Sequence, residues 1–241
     1  KGTAPKNQIA FAKSSKIKAL AMVSCSSKST AKSFLCDSSK RQNLINNISG
    51  EILKNNYDGV NIDIENVYPS DRNNFSSFMK ELYQNLHSKN LIVTCSLPAK
   101  DSENLSDDWS GAYDYSTIGK YCDKVMIMAY DEHYSTSKEG PVASIKWVTG
   151  IIKYTMRKIP RNKIYIGIAA YGYDWPEHGN AKSYSLSGIQ KIADKYKSNI
   201  NFDSSSKSPY FTYQDANNET HTVWFENKDS IAAKLDAVNK Y

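Results

Sequence analysis

The segment from Val60 to Glu65 constrains the fold more than any other part of the chain, because its apolar and polar residues alternate strictly. Side chains along a strand point alternately to its two faces. One face of this segment is apolar and carries Val60, Ile62 and Ile64. The opposite face is polar and carries Asn61, Asp63 and Glu65. The alternation predicts a strand whose two faces differ in chemistry.

The surroundings of this strand favour a position in which both of its faces are covered. Asp58 and Gly59 form a turn signal before it, and segments with helical spacing lie on either side. Parallel strands in such alternating arrays have helices packed on their faces. Three polar side chains on a covered face are costly unless they line a cavity. A cavity at the carboxyl end of a parallel strand is where barrel enzymes carry out their chemistry.

Strands and helices alternate repeatedly from the start of the chain to Tyr171, which predicts a parallel sheet with right-handed crossovers. The predicted strands are 17–24, 57–65, 91–97, 124–130 and 163–171. The predicted helices are 5–14, 39–55, one capped by Ser70, 113–120 and 145–157. The chain has 241 residues, of which 40% are hydrophobic, and this is enough for one barrel core. The predicted fold class is α/β, of the (β/α)8 TIM-barrel type.

After Tyr171 the pattern changes to that of a small insertion, assigned to residues 173–228 within a single domain that spans 1–241. A helix at 187–196 is followed by short strands at 209–213 and 221–225 around a polar turn, which is a hairpin signature. A last helix is predicted at 229–240. An eight-stranded barrel would need two further strands before Ile17 and one after Tyr241, and the sequence shows none of them. The barrel is therefore expected to be incomplete at both ends. The first residue is Lys rather than Met, which favours a fragment of a longer protein or a mature form.

Composition argues against several classes of function. The net charge of +6 comes almost entirely from lysines without a dense basic run, so no nucleic acid partner is expected. No apolar run reaches the length of about 18 residues that a membrane span needs, so no membrane insertion is expected. The four cysteines lack a C-x-x-C pair and the four histidines are dispersed, so neither a metal nor a cofactor is expected. Buried free thiols are favoured over a disulfide between Cys25 and Cys36.

Glu65 ends its strand, where apolar surroundings would raise the pKa of its carboxyl and suit it to general acid catalysis. Asp63 lies on the same face, with its Cα about 6.6 Å from that of Glu65. Both carboxyl groups then approach a substrate from one side, whereas a glycosidase with two catalytic carboxylates needs them on opposite faces of the sugar. If the chain is a glycosidase, its nucleophile must come from elsewhere, with the substrate as one source. Salt bridges or helix caps are the alternative roles for Asp63 and Glu65.

Two further strand ends carry hydrogen-bonding or aromatic side chains: Tyr130 with Asp131, and Tyr171 with Trp175. The three strand ends contain the motifs D-G-x-N-x-D-x-E, M-A-Y-D and G-I-x-x-Y-G-Y-D-W, in this order. These motifs resemble the strand-end motifs of family 18 glycoside hydrolases. Within that family the chain looks most like the bacterial spore-cortex-lytic and peptidoglycan N-acetylglucosaminidases. The likeness runs through nearly the entire chain.

The resemblance implies a retaining, substrate-assisted hydrolysis of β-linked N-acetylglucosamine in peptidoglycan, an exception to the scheme with two carboxylates. Glu65 is implied as the general acid and base. Asp63 is implied to orient the acetamido N–H of the sugar, and Tyr130 to bond the acetamido oxygen. The implied substrate-binding residues are Asn61, Asp131, Tyr171 and Trp175, with packing of the groove wall as the alternative role of the last two. A glycan partner and an extracytoplasmic location (secreted, cell wall, or spore coat or cortex) follow from the same resemblance, whereas the oligomeric state does not.

Two departures from the family pattern leave alternatives open. Asn61 stands where many members of the family have Asp, and its amide can donate a hydrogen bond that holds Asp63 ionised. A tryptophan that the family usually carries on its last strand has no counterpart. The absence of that tryptophan favours a non-catalytic lectin that binds chitin or peptidoglycan, whereas the presence of Glu65 favours an enzyme. A chitinase is the further alternative.

Overall fold

The structure, a computed structural model, describes residues 3–241 and contains two five-stranded sheets. The chain divides into two compact units. The first contains the described residues up to Ile127 together with Thr155–Tyr165. The second contains Met128–Tyr154 and Ile166–Tyr241.

The secondary structure alternates as far as β5 and then becomes rich in strands. The helices are α1 (Lys6–Ser14), α2 (Lys28–Leu35), α3 (Ser38–Lys54), α4 (Arg72–His87), α5 (Tyr115–Lys120), α6 (Ile145–Met156), α7 (Leu186–Tyr196) and α8 (Lys228–Lys240). The strands are β1 (Leu20–Cys25), β2 (Gly59–Ile64), β3 (Ile92–Pro98), β4 (Lys124–Met128), β5 (Ile164–Ile166), β6 (Tyr171–Pro176), β7 (Lys182–Ser185), β8 (Asn201–Asp203), β9 (Ser208–Gln214) and β10 (Thr220–Phe225). None of the described helices is both long and apolar enough to cross a membrane.

The first sheet has the strand order β1-β2-β3-β4-β5, so strands that follow one another in the chain are neighbours in space. β2 pairs in parallel with β1 on one edge and with β3 on the other. Asn61 lies opposite Met22 of β1 and opposite Thr94 of β3. This sheet is the parallel array that the alternating pattern predicts, and its carboxyl ends lie along one edge.

The apolar face of β2 lies in the core of the first unit, where Val60 and Ile62 are 0% exposed and Ile64 is 1% exposed. α3 packs against β2, and α4 packs against β3. The buried residues of α4 recur at helical spacing: Phe75, Phe78, Met79, Leu82 and Leu86. Burial of each such side chain stabilises the fold by about 1.5–3 kcal/mol. The core therefore fixes which face of β2 points away from the helices.

The start of α4 differs from the prediction that Ser70 caps it. The residues Pro69–Asp71 form a short 3-10 turn, and α4 begins at Arg72 with Asp71 in the cap position. Proline has the backbone angle of a first helical turn, which explains why the turn begins earlier than the prediction places it. The Asp71 carboxylate accepts hydrogen bonds from the Cys36 thiol at 3.1 Å and from Asn74 Nδ2 at 3.2 Å.

The cysteines are free, as the sequence analysis favours, but only two of them are buried. Cys95 and Cys122 are buried, whereas Cys25 is half-buried and Cys36 is exposed. The prediction of buried thiols is therefore wrong for Cys25 and Cys36. Cys25 ends β1 at the carboxyl end of the parallel sheet, and Cys36 directly follows α2, so solvent reaches both.

The second sheet is antiparallel, with the order β7-β6-β10-β9-β8. β9 and β10 form the predicted hairpin, in which Thr220 lies opposite Gln214. In the turn between them, Asp215 Oδ1 accepts the backbone N–H of Asn217 at 2.8 Å and that of Glu219 at 3.0 Å. An aspartate that bonds backbone groups two to four residues further along the chain is typical of such turns.

The predicted continuous strand 163–171 is wrong. β5 ends at Ile166, and Tyr171 begins β6, which belongs to the antiparallel sheet. Three of the four intervening residues, Gly167, Ala169 and Ala170, have low strand propensity and no bulky side chain to pack across a sheet. Tyr171 therefore starts a strand of the second sheet and does not end a strand of the first.

Gly59 lies where β2 and β3 approach each other closely, so a substitution at this position tests the packing of the two strands. A Cβ at this position would lie 2.0 Å from the carbonyl oxygen of Ile92, so Gly59→Ala forces the two strands apart. We expect this substitution to reduce the free energy of unfolding by about 2–4 kcal/mol in urea denaturation. Gly50→Ala is the control, because Gly50 lies within α3 with nothing within 4 Å of an added Cβ. It should stabilise the protein by about 0.5–1 kcal/mol, and a destabilisation of similar size in both variants would contradict this packing.

Candidate active site

Glu65 follows β2 directly, at the carboxyl end of the parallel sheet. Its backbone N–H donates to the carbonyl oxygen of Cys25 at 2.8 Å. This bond extends the pairing of β1 with β2 by one residue and holds the backbone of Glu65 in the line of the strand. The strand alternation then directs Glu65 and Asp63 to the same side.

A cavity of about 340 Å³ lies where β1 and β2 end, and Asp63 and Glu65 line it. The other lining residues are Met22, Ser24, Cys25 and Ser26. Both carboxyl groups are half-buried and not turned fully into solvent. The polar face of β2 therefore borders a cavity, which is the condition under which polar side chains on a covered face are tolerated.

Burial raises the pKa of Asp63, and a hydrogen bond with the Ser96 hydroxyl opposes this shift. The Asn61 amide donates from Nδ2 to Ser96 Oγ at 3.1 Å, and Asn61 Oδ1 accepts from Thr94 Oγ1 at 2.8 Å. Within residues 3–241, the hydrogen bonds of the Asn61 side chain thus go to β3 and not to Asp63. Asn61 acts on Asp63 through Ser96, and not by the direct hydrogen bond that the sequence analysis considers.

Ser96 is a site residue that the sequence analysis misses. It lies on β3 two residues after Thr94, which is opposite Asn61, so the polar face of β2 continues onto the neighbouring strand. The signal was present in the sequence, since Thr94 and Ser96 are polar residues spaced by two within an apolar strand. Detecting it requires the register between β2 and β3, which the sequence does not supply.

Asp131 is the acceptor for two tyrosines in the second unit. Its Oδ1 accepts from the Tyr171 hydroxyl at 2.5 Å and from the Tyr173 hydroxyl at 3.1 Å. Burial and the bond to Asp131 raise the pKa of Tyr171 far above its usual value, and burial beside Asp131 raises the pKa of Tyr173 to about 12. Both hydroxyls therefore stay protonated and donate to Asp131 at neutral pH. Tyr173 is a second residue that the sequence analysis does not single out.

The backbone of Asp131 has a φ of 62°, in the left-handed region that few residues other than glycine adopt. Aspartate tolerates this region better than most residues, but the conformation is held against a cost of about 1–3 kcal/mol. Such backbone strain is common at functional sites. The two tyrosine hydroxyls fix the carboxylate that this strained backbone carries.

Trp175 and Tyr130 complete the group of predicted residues in the second unit. Trp175 is 5% exposed, and its Nε1 donates to the carbonyl oxygen of Ser137 at 3.2 Å. The rings of Tyr130 and Tyr171 meet edge to face at 6.3 Å between centroids. The predicted stacking of a sugar on Trp175 stays a prediction, and its low exposure shows that packing takes up most of its surface.

The predicted site residues thus fall into two groups, each within one unit. Asn61, Asp63 and Glu65 belong to the first unit. The residues of the second unit are Tyr130, Asp131, Tyr171 and Trp175.

Among residues 3–241, one trio of side chains has the donor atoms of a metal site: Asp215, Glu219 and His221, with ligand atoms within 4.8 Å of one another. Asp215 already accepts the backbone bonds of the hairpin turn. His221 Nδ1 lies 2.7 Å from Asp174 Oδ1. These contacts are sufficient to explain the cluster as a means of holding the hairpin.

Comparison with known protein families identifies the class of this protein. The family profile described as "Glycosyl hydrolases family 18" matches residues 3–241. The chain belongs to this family, and it is a glycosidase. The family fold is normally a TIM barrel, and residues 3–241 contribute a parallel sheet of five strands to it. That this sheet belongs to a barrel that is incomplete at both ends stays a prediction.

One enzyme of known sequence and two proteins of known structure are similar to this chain. The "cortical fragment-lytic enzyme" of Bacillus subtilis is 31% identical over 86% of this chain and 49% of its own length. The crystal structure of the "putative sporulation-specific glycosylase" YdhD from Bacillus subtilis matches 100% of this chain and 82% of that chain, with 32% identity and a TM-score of 0.97. A chitinase structure from Chromobacterium violaceum matches 100% of this chain and 77% of that chain, with 32% identity and a TM-score of 0.92. In the sequence comparisons, the chain spans about half the length of YdhD and of the cortical fragment-lytic enzyme.

The raised pKa of Asp63 predicts that its charge costs folding free energy at neutral pH. A carboxyl group whose folded pKa lies above its unfolded value of 3.8 destabilises the fold increasingly as pH rises above that value. Asp63→Asn should therefore raise Tm at pH 7, by about 1–3 °C, and the gain should vanish near pH 3.8. Thermal denaturation at several pH values measures both effects.

Asp58 is the matched control, because it is an aspartate at the start of the same strand region with the opposite shift. Burial acts to raise its pKa, but the Ala19 N–H and the Lys18 ammonium outweigh burial and leave the pKa lowered. Asp58→Asn should therefore reduce Tm at pH 7. If Asp63→Asn also reduced Tm at this pH, the electrostatic description of the site would be wrong.

Proposed function

We propose that the protein hydrolyses β-linked N-acetylglucosamine in peptidoglycan of the spore cortex or cell wall, outside the cytoplasm, by a retaining and substrate-assisted mechanism. The observation that carries this proposal is the placement of Asp63 and Glu65 on one side of one strand at a shared cavity. Two carboxyl groups so placed cannot flank a sugar ring from opposite faces. The acetamido group of the substrate supplies the nucleophile that this strand does not.

In the proposed first step, the protonated carboxyl of Glu65 gives its proton to the glycosidic oxygen. The carbonyl oxygen of the 2-acetamido group attacks the anomeric carbon as the bond to the leaving sugar breaks. The product of this step is a cyclic oxazolinium ion, and Glu65 is left as a carboxylate. In the second step, Glu65 takes a proton from a water molecule. This water attacks the anomeric carbon from the face that the leaving sugar occupied, which opens the oxazolinium ring and restores the original configuration.

Asp63 accepts the acetamido N–H and offsets the positive charge that develops on the oxazolinium. The Ser96 hydroxyl and the half-buried position of Asp63 hold its carboxyl in place. The hydrogen bond of Tyr130 to the acetamido oxygen is part of the proposal and rests on the family resemblance. The same basis supports Asn61, Asp131, Tyr171 and Trp175 as residues that position the sugar.

Glu65→Gln tests the assignment of the acid. The amide keeps the shape of Glu65 and can still form hydrogen bonds, but it has no acidic proton to transfer, so hydrolysis should fall by about 10²–10⁴-fold. Oligosaccharide binding, measured by calorimetry, should survive. Glu51→Gln is the control, because Glu51 is a half-buried glutamate on α3. Equal turnover by Glu65→Gln and the parent protein would rule out Glu65 as the acid.

A basic and aromatic patch beside the cavity supports peptidoglycan as the substrate. Lys28 Nζ lies 5.4 Å and Lys32 Nζ lies 5.6 Å from the centroid of the Tyr68 ring. α2, which carries both lysines, begins two residues after Ser26 of the cavity wall, and Asn66 Nδ2 bonds the Ser26 carbonyl at 3.2 Å. Lys28 also pairs with Asp108 at 2.5 Å. Peptidoglycan carries carboxylates, which this patch attracts, whereas chitin is neutral.

The substrate preference is tested by Lys32→Ala. We expect KM for peptidoglycan fragments to rise by about 2–5-fold, since one attractive charge near the surface contributes up to about 1 kcal/mol. KM for neutral N-acetylglucosamine oligomers should not change. Lys54→Ala at the end of α3 is the control for the loss of one surface charge. An equal rise of KM for both substrates, or for neither, would contradict a preference for the anionic glycan.

A chitinase is the second candidate function, favoured by the similarity to the chitinase from Chromobacterium violaceum. The two candidates share the same chemistry at the acetamido sugar and differ in the charge of the glycan. Faster turnover of neutral chitin oligomers than of peptidoglycan fragments by the parent protein would favour the chitinase.

A further inference from the structure

Two buried tyrosines in the first unit bind the carbonyl groups at neighbouring strand ends. The Tyr113 hydroxyl donates to the carbonyl oxygen of Ile64 at 2.9 Å, at the end of β2. The Tyr115 hydroxyl donates to the carbonyl oxygen of Pro98 at 2.5 Å, at the end of β3. Tyr113 is 0% exposed and Tyr115 is 1% exposed. Tyr113 thus ties the segment before α5 to the end of β2, and Tyr115 ties the first residue of α5 to the end of β3.

The bond made by Tyr113 lies between the two carboxyl residues of the site. Ile64 is the residue between Asp63 and Glu65, and its carbonyl group belongs to the peptide that leads into Glu65. The register of β2 with β3 runs from Gly59 opposite Ile92 to Ile62 opposite Cys95. Tyr113 therefore holds β2 two residues beyond that ladder, while the Glu65 N–H is held by Cys25 on the other edge.

Tyr113 is itself held firmly in this position. Its ring meets Phe75 edge to face at 5.2 Å between centroids. Its backbone carbonyl accepts from Lys100 Nζ at 2.7 Å, and Lys100 is only 6% exposed. Lys100 Nζ also donates to Glu103 Oε1 at 2.9 Å, which pairs the buried ammonium with a carboxylate. A buried charge is retained in a fold only when it is paired and hydrogen-bonded, so this arrangement fixes the segment that carries Tyr113.

The Tyr113 hydroxyl is also held in its donor form. Burial raises the pKa of this tyrosine far above its usual value. A backbone hydrogen bond from Val67 opposes this shift, and the neighbouring Cys95, Glu65 and Asp63 add to it. A tyrosine that stays protonated across the working pH range has one proton to donate, and the Ile64 carbonyl takes it. The Tyr113 hydroxyl therefore serves as a hydrogen-bond donor to Ile64 and does not exchange its proton with the substrate.

We propose that Tyr113 is a positioning residue for the hydrolysis, because its hydroxyl fixes the peptide between Ile64 and Glu65 and thereby the direction of the Glu65 carboxyl group relative to that of Asp63. This inference rests on the proposed function of the two carboxyl groups. A peptide unit is planar, so a rotation of the Ile64 carbonyl turns the backbone that carries Glu65. Displacement of a catalytic group by about 1 Å can reduce the rate by about 10²-fold.

Tyr113→Phe and Tyr115→Phe form a matched pair that separates positioning from stability. Each removes one hydroxyl that binds a strand-end carbonyl, and each keeps a buried aromatic ring. Both should reduce Tm by a similar amount. With spore-cortex peptidoglycan fragments as substrate, Tyr113→Phe should reduce kcat by about 10–100-fold and change KM by less than about 3-fold. Tyr115→Phe should keep kcat within about 3-fold of the parent value.

A second measurement covers the case in which Tyr113→Phe is too unstable for kinetics. Binding of a thiazoline mimic of the oxazolinium is compared with binding of a plain oligosaccharide, below the Tm of each variant. The mimic should lose affinity in Tyr113→Phe and keep it in Tyr115→Phe, because only the transition state needs the precise placement of the carboxyl groups.

The inference would be overturned by parental kcat in Tyr113→Phe, by an equal loss of kcat in Tyr115→Phe, or by a Tyr113→Phe variant that does not fold while Tyr115→Phe does. Failure of the proposed function gives a different result: the parent protein and Glu65→Gln would then turn over these fragments at the same rate. A parent that is active, a Glu65→Gln variant that is not, and a fully active Tyr113→Phe variant would reject the role of Tyr113 alone.

Discussion

The burial of one face of β2 is the constraint on which the site depends. Val60, Ile62 and Ile64 lie in the core, so the strand cannot rotate without exposing them. A slip of one residue would exchange the two faces and place both carboxyl groups among the helices, at a cost of several kcal/mol for each unpaired charge. The apolar residues therefore set the direction of Asp63 and Glu65 before any contact of the carboxyl groups themselves is considered.

This constraint explains why much of the fold and of the first group of site residues could be predicted from the sequence. Strict alternation over six residues identifies the strand, its faces and the residues at its end. The sequence was less informative where local propensity and tertiary pairing disagree. α2 (Lys28–Leu35) is absent from the predicted helices because it has only 8 residues, of which Ala31 and Leu35 are buried, so it is too short to show helical periodicity. The strand predicted across 163–171 was divided between two sheets, since only pairing with β7 and β10 reveals where β6 begins.

The site residues that the sequence does not predict are those that act through a contact with another residue of the chain. Ser96 bonds Asp63 because β3 lies beside β2 in one register. Tyr173 donates to the same oxygen of Asp131 as Tyr171, and Tyr113 reaches the carbonyl group of Ile64 from a segment far along the chain. Each of these contacts depends on tertiary placement, so spacing in the sequence can mark Ser96 as a polar-face residue but cannot identify its partner. These contacts fix the carboxyl groups that the strand pattern identifies.

In the proposed mechanism the substrate supplies the nucleophile, because the carboxyl groups of Asp63 and Glu65 both approach the sugar from one side. The most direct test compares the hydrolysis of two otherwise identical N-acetylglucosamine oligosaccharides, one of which lacks the acetyl group on the sugar whose bond is cleaved. The account predicts that the parent protein cleaves the acetylated substrate and leaves the other intact over the same period. Equal rates for the two substrates would show that the acetamido group is not the nucleophile and that water or a group of the protein attacks the sugar, which would contradict the account.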